Sequence, residues 1–158
     1  MVSRRKATTN ILGINSKRYS IIIPSAGMGR RMRSYGPKSL IKIHENTTII
    51  GRQLSIIKKN FTNCEIILVT GFCSDKLMNN TPSDLIKVEN ENYESTNVLR
   101  SIGVGLRAST SDRVLILYGD LVFNEEAIKN LKLDSSSVIV DDSGLMGEME
   151  VGCNVSDG

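Results

Sequence analysis

An apolar run from Tyr19 to Pro24 passes directly into Ser25-Ala26-Gly27-Met28-Gly29-Arg30-Arg31-Met32, and Gly36-Pro37-Lys38-Ser39-Leu40 follows a few residues later. A strand that ends in small residues lets backbone N–H groups come close to an anionic ligand. Arg30, Arg31, Arg33 and Lys38 place positive charge around the same turn, with no acid in the segment. Four such cations repel one another unless an anion neutralises them. The segment therefore reads as a socket for a polyphosphate, with a nucleoside triphosphate as the expected ligand.

Two common phosphate loops do not fit this spacing. The dinucleotide fingerprint requires a third glycine where the chain has Met32. The Walker loop requires Gly-Lys-Ser/Thr after four intervening residues, whereas six separate Gly29 from Gly36 and Pro37 stands before Lys38. Proline has no N–H to offer a phosphate. The segment instead resembles the nucleotidyltransferase signature of the sugar-phosphate and phosphocholine nucleotidylyltransferases and the MobA-like group. In that signature a strand is followed by Ala-Ala-Gly-x-Gly-Ser/Thr-Arg-Met/Leu and then Pro-Lys-x-Leu. Ala26, Gly27, Gly29, Arg31, Met32, Pro37, Lys38 and Leu40 match; Ser25 stands where alanine is usual and Arg30 where a small hydroxyl residue is usual. The resemblance runs from about Tyr19 to Val140.

The net charge of +3 hides an asymmetry. Positions 1 to 44 hold ten Lys and Arg and no acid, while 45 to 158 hold ten Lys and Arg against seventeen acids. Such a split suits a nucleic-acid arm, an anionic-membrane anchor or a polyanion site. Five of the ten early cations lie at or after Arg30, so a small polyphosphate accounts for them. Aromatics at 4% and the absence of Trp leave no base-stacking platform, and no nucleic-acid partner is expected. No apolar run is long enough for a membrane span, which leaves a cytoplasmic protein as the expectation. Cys64, Cys73 and Cys153 show no CxxC spacing and suggest neither a disulfide framework nor a zinc site. His44, the one histidine, follows a predicted strand and reads as a surface or core-edge residue rather than a base.

Residues 1–18, with Arg4, Arg5, Lys6, Lys17 and Arg18, read as a basic leader, disordered in part, ahead of a single domain over 19–158. Apolar runs bounded by turn signals predict strands near Tyr19 to Pro24, Glu65 to Thr70, Leu85 to Glu89, Arg113 to Tyr118 and Ser137 to Val140. A further short strand is expected near Glu150 to Val155. Helical patterns lie over Thr48 to Asn60, over Asn97 to Ala108 despite Gly103 and Gly105, and after a capping Asn124. Alternating strands and helices predict an α/β fold with a mostly parallel sheet covered on both faces. The resemblance implies a three-layer α/β/α, Rossmann-like nucleotidyltransferase fold without the family's C-terminal part. Ligands in such sheets gather beyond the carboxyl ends of strands where strand order reverses, and the turns after Pro24 and Tyr118 occupy such ends.

Leu115-Ile116-Leu117-Tyr118-Gly119-Asp120 ends a strand in a carboxylate, which reads either as a turn or as a metal ligand. Mg²⁺ takes one or two protein carboxylates and fills its sphere with phosphate oxygens and water. The resemblance favours Asp120 as that ligand. The stretch Asn90 to Ser101 resembles the Tyr…Thr-Asn-Asn…Ser segment of the phosphocholine-type cytidylyltransferases, with Asn97 and Ser101 matching and Val98 in place of the second Asn. Plain helix capping by Thr96 or Asn97 is the other reading. Adjacent Asp141 and Asp142 point apart on an extended chain and read as surface residues. The expectation is nucleotidyl transfer: Arg31 and Lys38 as catalytic cations, Ala26, Gly27, Gly29, Arg30, Asn97 and Ser101 around the nucleotide, and Asp120 on Mg²⁺. The partners are then an NTP, preferably CTP, and a small phosphorylated acceptor such as phosphocholine or a sugar 1-phosphate. A nucleotide-binding module without turnover is the alternative.

Overall fold

Three consecutive isoleucines in the first strand set the layering. In β1 (Tyr19–Pro24) every residue is buried, and successive side chains point to opposite faces. Ile21 and Ile23 join one apolar cluster and Ile22 the other. The same alternation holds in β4 (Cys64–Thr70), where Ile66 and Leu68 face one way and Ile67 and Val69 the other. A strand buried on both faces has to be apolar throughout, as a parallel sheet between helices requires. The computed structural model describes residues 18–29, 36–131 and 133–140. The leader up to position 17, Arg30, Arg31, Arg33, Asp141, Asp142 and the strand expected near Glu150 to Val155 lie outside the described residues.

After β1 come a single 3₁₀ turn at Lys38–Leu40, a hairpin of β2 (Lys42–His44) and β3 (Thr47–Thr48), and helix α1 (Ile49–Asn60). Thr48 caps α1 by accepting from Gly51 N, and Lys58 and Lys59 stand in its last turn. β4, α2 (Ser74–Asn79), β5 (Ile86–Glu89), α3 (Val98–Ala108), β6 (Val114–Ile116) and α4 (Glu125–Lys129) follow. The sheet is parallel with strand order β5-β4-β1-β6. Ile50, Leu54 and Ile57 of α1 with Phe61 just after it, Leu77 of α2 and Ile128 of α4 cover one face. Val104 and Ala108 of α3 pack against the other. The three layers expected from the sequence are present.

Two strands are shorter than expected. β5 starts at Ile86, and β6 spans only Val114–Ile116, with β1 as its sheet neighbour among the described residues. The strand expected at Ser137 to Val140 is not seen among the described residues. Val138, Ile139 and Val140 belong to no strand among the described residues and stay exposed at 77%, 52% and 49%. Apolar composition alone does not make a strand without a neighbour to bond. The short α2 and the β3 strand that pairs with β2 were not predicted; the strand expected before His44 is present as β2, which His44 closes while staying exposed.

At the amino-terminal ends of the strands, away from the turn after β1, Glu65 ties three segments together. Its side chain, 9% exposed, accepts from Ser20 Oγ, from Thr110 N at 2.6 Å, from Thr110 Oγ1 at 2.8 Å and from Arg18 Nη2 at 3.2 Å. Burial acts to raise its pKa, but the hydrogen bonds from Ser20 and Thr110 and the charge of Arg18 together bring it below the ordinary 4.5. The unfolded chain then takes up this proton at a higher pH than the native one. The resulting stabilisation is complete above the ordinary value and is lost as pH falls through the native one. Glu65→Gln is expected to lower the melting temperature near neutral pH and to flatten its decline between roughly pH 5 and pH 3. Melting curves of variant and wild type that run parallel through that window contradict this assignment.

Candidate functional site

Strand order reverses between β1 and β6, and the chain leaves both strands on the same side. A cleft opens there, lined by the turn after β1, the Lys38–Leu40 turn, the Asn90 to Ser101 segment and Tyr118 to Asp120. Ala26, Gly27, Gly29, Lys38, Asn97, Ser101 and Asp120, all proposed from the sequence, line this one cleft. Arg30 and Arg31 lie outside the described residues.

The turn after β1 is held open from below. Ser25 N donates to Val69 O at 2.8 Å, and Ala26, itself buried, accepts from Phe72 N at 3.0 Å. Gly27 is exposed with clear space above it, so an approaching ligand meets backbone rather than side chain. Gly29 has φ 56°, a conformation that a side chain disfavours, and a Cβ there would stand 3.1 Å from Lys38 Cε. The stem of Lys38 lies across this glycine and delivers its ammonium to the far wall.

On that wall Lys38 Nζ meets Asp120 Oδ2 at 3.2 Å, joining residues 82 apart in sequence. Both side chains are about two-fifths exposed, at 40% and 44%, so water and ligand reach the pair. Position, more than stability, is what such an exposed pair contributes. The Asp120 turn is anchored from beneath by α1. Buried Gln53 donates both amide protons, to Tyr118 O at 2.9 Å and Leu121 O at 2.7 Å, and Arg52 Nε donates to Phe123 O at 3.2 Å. Gly119 N returns to Pro24 O at 3.2 Å, which fixes the two strand ends against each other.

The third wall combines the two readings of its segment. Asn97 Oδ1 accepts from Leu99 N at 3.1 Å and Arg100 N at 3.4 Å, which is an N-cap for α3, yet the residue also lines the cleft. Ser101 is buried and accepts from Asn90 Nδ2 at 3.1 Å. Asn90, immediately after β5 and 3% exposed, also donates to Thr96 Oγ1 at 3.0 Å. Thr96 gives its own proton to Asn92 O at 2.7 Å, so it can only accept from Asn90. Asn90 is thus the hub of this wall, and sequence reasoning assigned it no role. Its signal was available, since a polar residue at a strand's carboxyl end is the criterion that singled out Asp120. Gln53, Tyr93, Tyr118 and Ser39 were missed as well; Gln53 meets Tyr118 and Leu121 across 65 and 68 positions, which spacing does not reveal.

Among the described residues no group of three or more His, Cys, Asp and Glu comes together. A cation in this cleft would have Asp120 as its protein carboxylate and would take its other oxygens from phosphate and water, a donor set that suits Mg²⁺. No helix among the described residues is long and apolar enough to cross a membrane.

A parallel sheet with helices on both faces, a small-residue turn at the strand-order reversal and a lysine facing an aspartate across it define an α/β domain of nucleotide-binding type. The chain belongs to the MobA-like NTP transferase domain family, whose model matches residues 21–144. Similar solved structures include the CTP:phosphocholine cytidylyltransferase LicC from Streptococcus pneumoniae, at 23% identity and TM-score 0.52, covering 65% of this chain and 45% of that one. Rv0371c from Mycobacterium tuberculosis H37Rv is similar at 19% identity and TM-score 0.52, covering 67% and 53%. At these identities the likeness is one of fold, and the chain spans about half the length of either neighbour. No curated protein sequence matches the chain.

Proposed function

We propose that the chain binds a nucleoside triphosphate with Mg²⁺ and transfers its nucleotidyl group to a small phosphorylated acceptor, releasing pyrophosphate. The observation that carries this reading is the Lys38–Asp120 pair at 3.2 Å, set in a cleft between β1 and β6. An acceptor phosphate oxygen bonds to the α-phosphorus while the bond from that phosphorus to the bridging oxygen breaks. The acceptor needs no general base, because a phosphate monoester with a second pKa near ~6 is largely dianionic at neutral pH. Positioning and charge neutralisation then carry the rate.

Ala26, Gly27 and Gly29 leave room for phosphates against the backbone, with Arg30 adding charge to the turn. Lys38 and Arg31 offset the charge of the triphosphate and of the departing pyrophosphate. Asp120 would hold Mg²⁺, which when bound supplies Lewis-acid charge at the α-phosphate. Asn97 and Ser101 orient the nucleotide, with Ser101 fixed by Asn90. CTP and a phosphocholine-like acceptor are preferred because Asn97 and Ser101 match the phosphocholine-type segment, and the similar LicC structure is a CTP:phosphocholine cytidylyltransferase. A sugar 1-phosphate comes next.

Thermal melting with each of the four NTPs and Mg²⁺ tests binding, since a ligand of the native state alone raises its melting point. CTP is expected to give the largest rise. Absence of a rise with any NTP rejects the proposal. A second reading, a nucleotide-binding module that works only with further chain or a partner, rests on the share of its neighbours' length that the chain spans. Binding without pyrophosphate release, with all substrates present, selects it.

A further inference from the structure

We propose that the hydroxyls of Ser25 and Ser39 are ligand contacts, each donating a hydrogen bond to a phosphate oxygen of the bound nucleotide. The inference rests on the nucleotide reading above and extends it to two residues that the matching motif does not specify. Ser25 occupies a position where the related signature carries alanine, and Ser39 is the unspecified residue of Pro-Lys-x-Leu.

Both oxygens are buried and neither has a hydrogen-bonding partner in the protein. Ser39 as a whole is 2% exposed. A buried hydroxyl left unpaired destabilises the fold, and the few such groups in a protein call for a reason. Among the described residues Gln53 Oε1, outside the cleft, is the third such atom, while the other buried serines are satisfied: Ser20 Oγ donates to Glu65 and accepts from Ser109 Oγ at 2.7 Å, and Ser101 accepts from Asn90. The two exceptions both line the nucleotide cleft. They also stand beside its charged pair. Ser39 is next to Lys38 in the 3₁₀ turn, and Ser25 Oγ lies against Gly119, where a Cβ would come within 1.9 Å of it, one residue before Asp120. A hydroxyl that donates suits the oxygens of a phosphate chain, which accept hydrogen bonds only.

An unpaired hydroxyl that serves a ligand has a signature that a structural one lacks. Its removal spares or raises the stability of the free protein and weakens the ligand. Ser25→Ala and Ser39→Ala are therefore expected to melt at or above the wild-type temperature, and to bind the NTP that stabilises the wild type most about tenfold more weakly with Mg²⁺. Ser20→Ala serves as the contrast: it should melt lower and keep wild-type affinity. Titration calorimetry with that Mg²⁺–NTP, alongside melting, reads both quantities. Wild-type affinity in both cleft variants overturns the inference while leaving the nucleotide reading intact. A wild type that binds no NTP overturns both.

Discussion

Lys38→Ala and Asp120→Ala are each expected to lower pyrophosphate release by about 100-fold or more, the range seen when one preorganised charge is removed from a reacting centre. Neither should cost the fold much. The 3.2 Å pair is about two-fifths exposed on each side, and an exposed ion pair contributes at most ~1 kcal/mol. Loss of turnover with little change in melting temperature is thus the expected combination. Arg52 and Gln53 hold the Tyr118 to Phe123 turn through its backbone carbonyls, so Asp120 can be replaced without releasing the turn. Rates near wild type in both variants reject the assignment of this pair to the chemistry.

Gly105→Ala is expected to destabilise the protein by about 2 kcal/mol, although alanine favours a helix over glycine by ~1 kcal/mol. A Cβ at Gly105 would stand 2.5 Å from Ile22 Cγ2 and 3.1 Å from Val69 Cγ2, both on fully buried strand residues. α3 lies on the sheet at a distance that only glycine permits there. Gly103 is the internal comparison, because the atom nearest to a Cβ at that position is Arg107 Nη1 at 3.9 Å. Gly103→Ala should follow helix propensity and leave stability equal or higher. Urea unfolding of the two variants separates the effects; equal shifts in both would remove the packing explanation.

These two glycines show where sequence reading ends. Both count equally against a helix on propensity, and only the packing of α3 against Ile22 and Val69 distinguishes them. The layering was legible because the Ile21 to Ile23 run and the Ile66 to Val69 run are apolar at every position, as a sheet covered on both faces demands. The Ser137 to Val140 run carries the same local signal, yet no strand is seen there among the described residues, since composition alone does not supply a pairing neighbour. The site was legible as far as strand ends could locate it. The small-residue turn and Asp120 were placed together from the rule that strand order reverses at the ligand, and 82 residues of separation did not hide the pair. Gln53 and Asn90 were not legible as functional positions. Their roles consist of hydrogen bonds to carbonyls and hydroxyls brought close only by the fold.

The proposed transfer requires magnesium and triphosphate to share one pocket between the turn after β1 and Asp120. Titration calorimetry of the wild type and of Asp120→Asn, each with CTP in the presence and absence of Mg²⁺, measures this directly. Mg²⁺ is expected to tighten CTP binding by about tenfold or more in the wild type and to have little effect in the variant, which keeps the shape of the side chain and loses its charge. An equal effect of Mg²⁺ on both proteins would place the metal elsewhere and contradict the account.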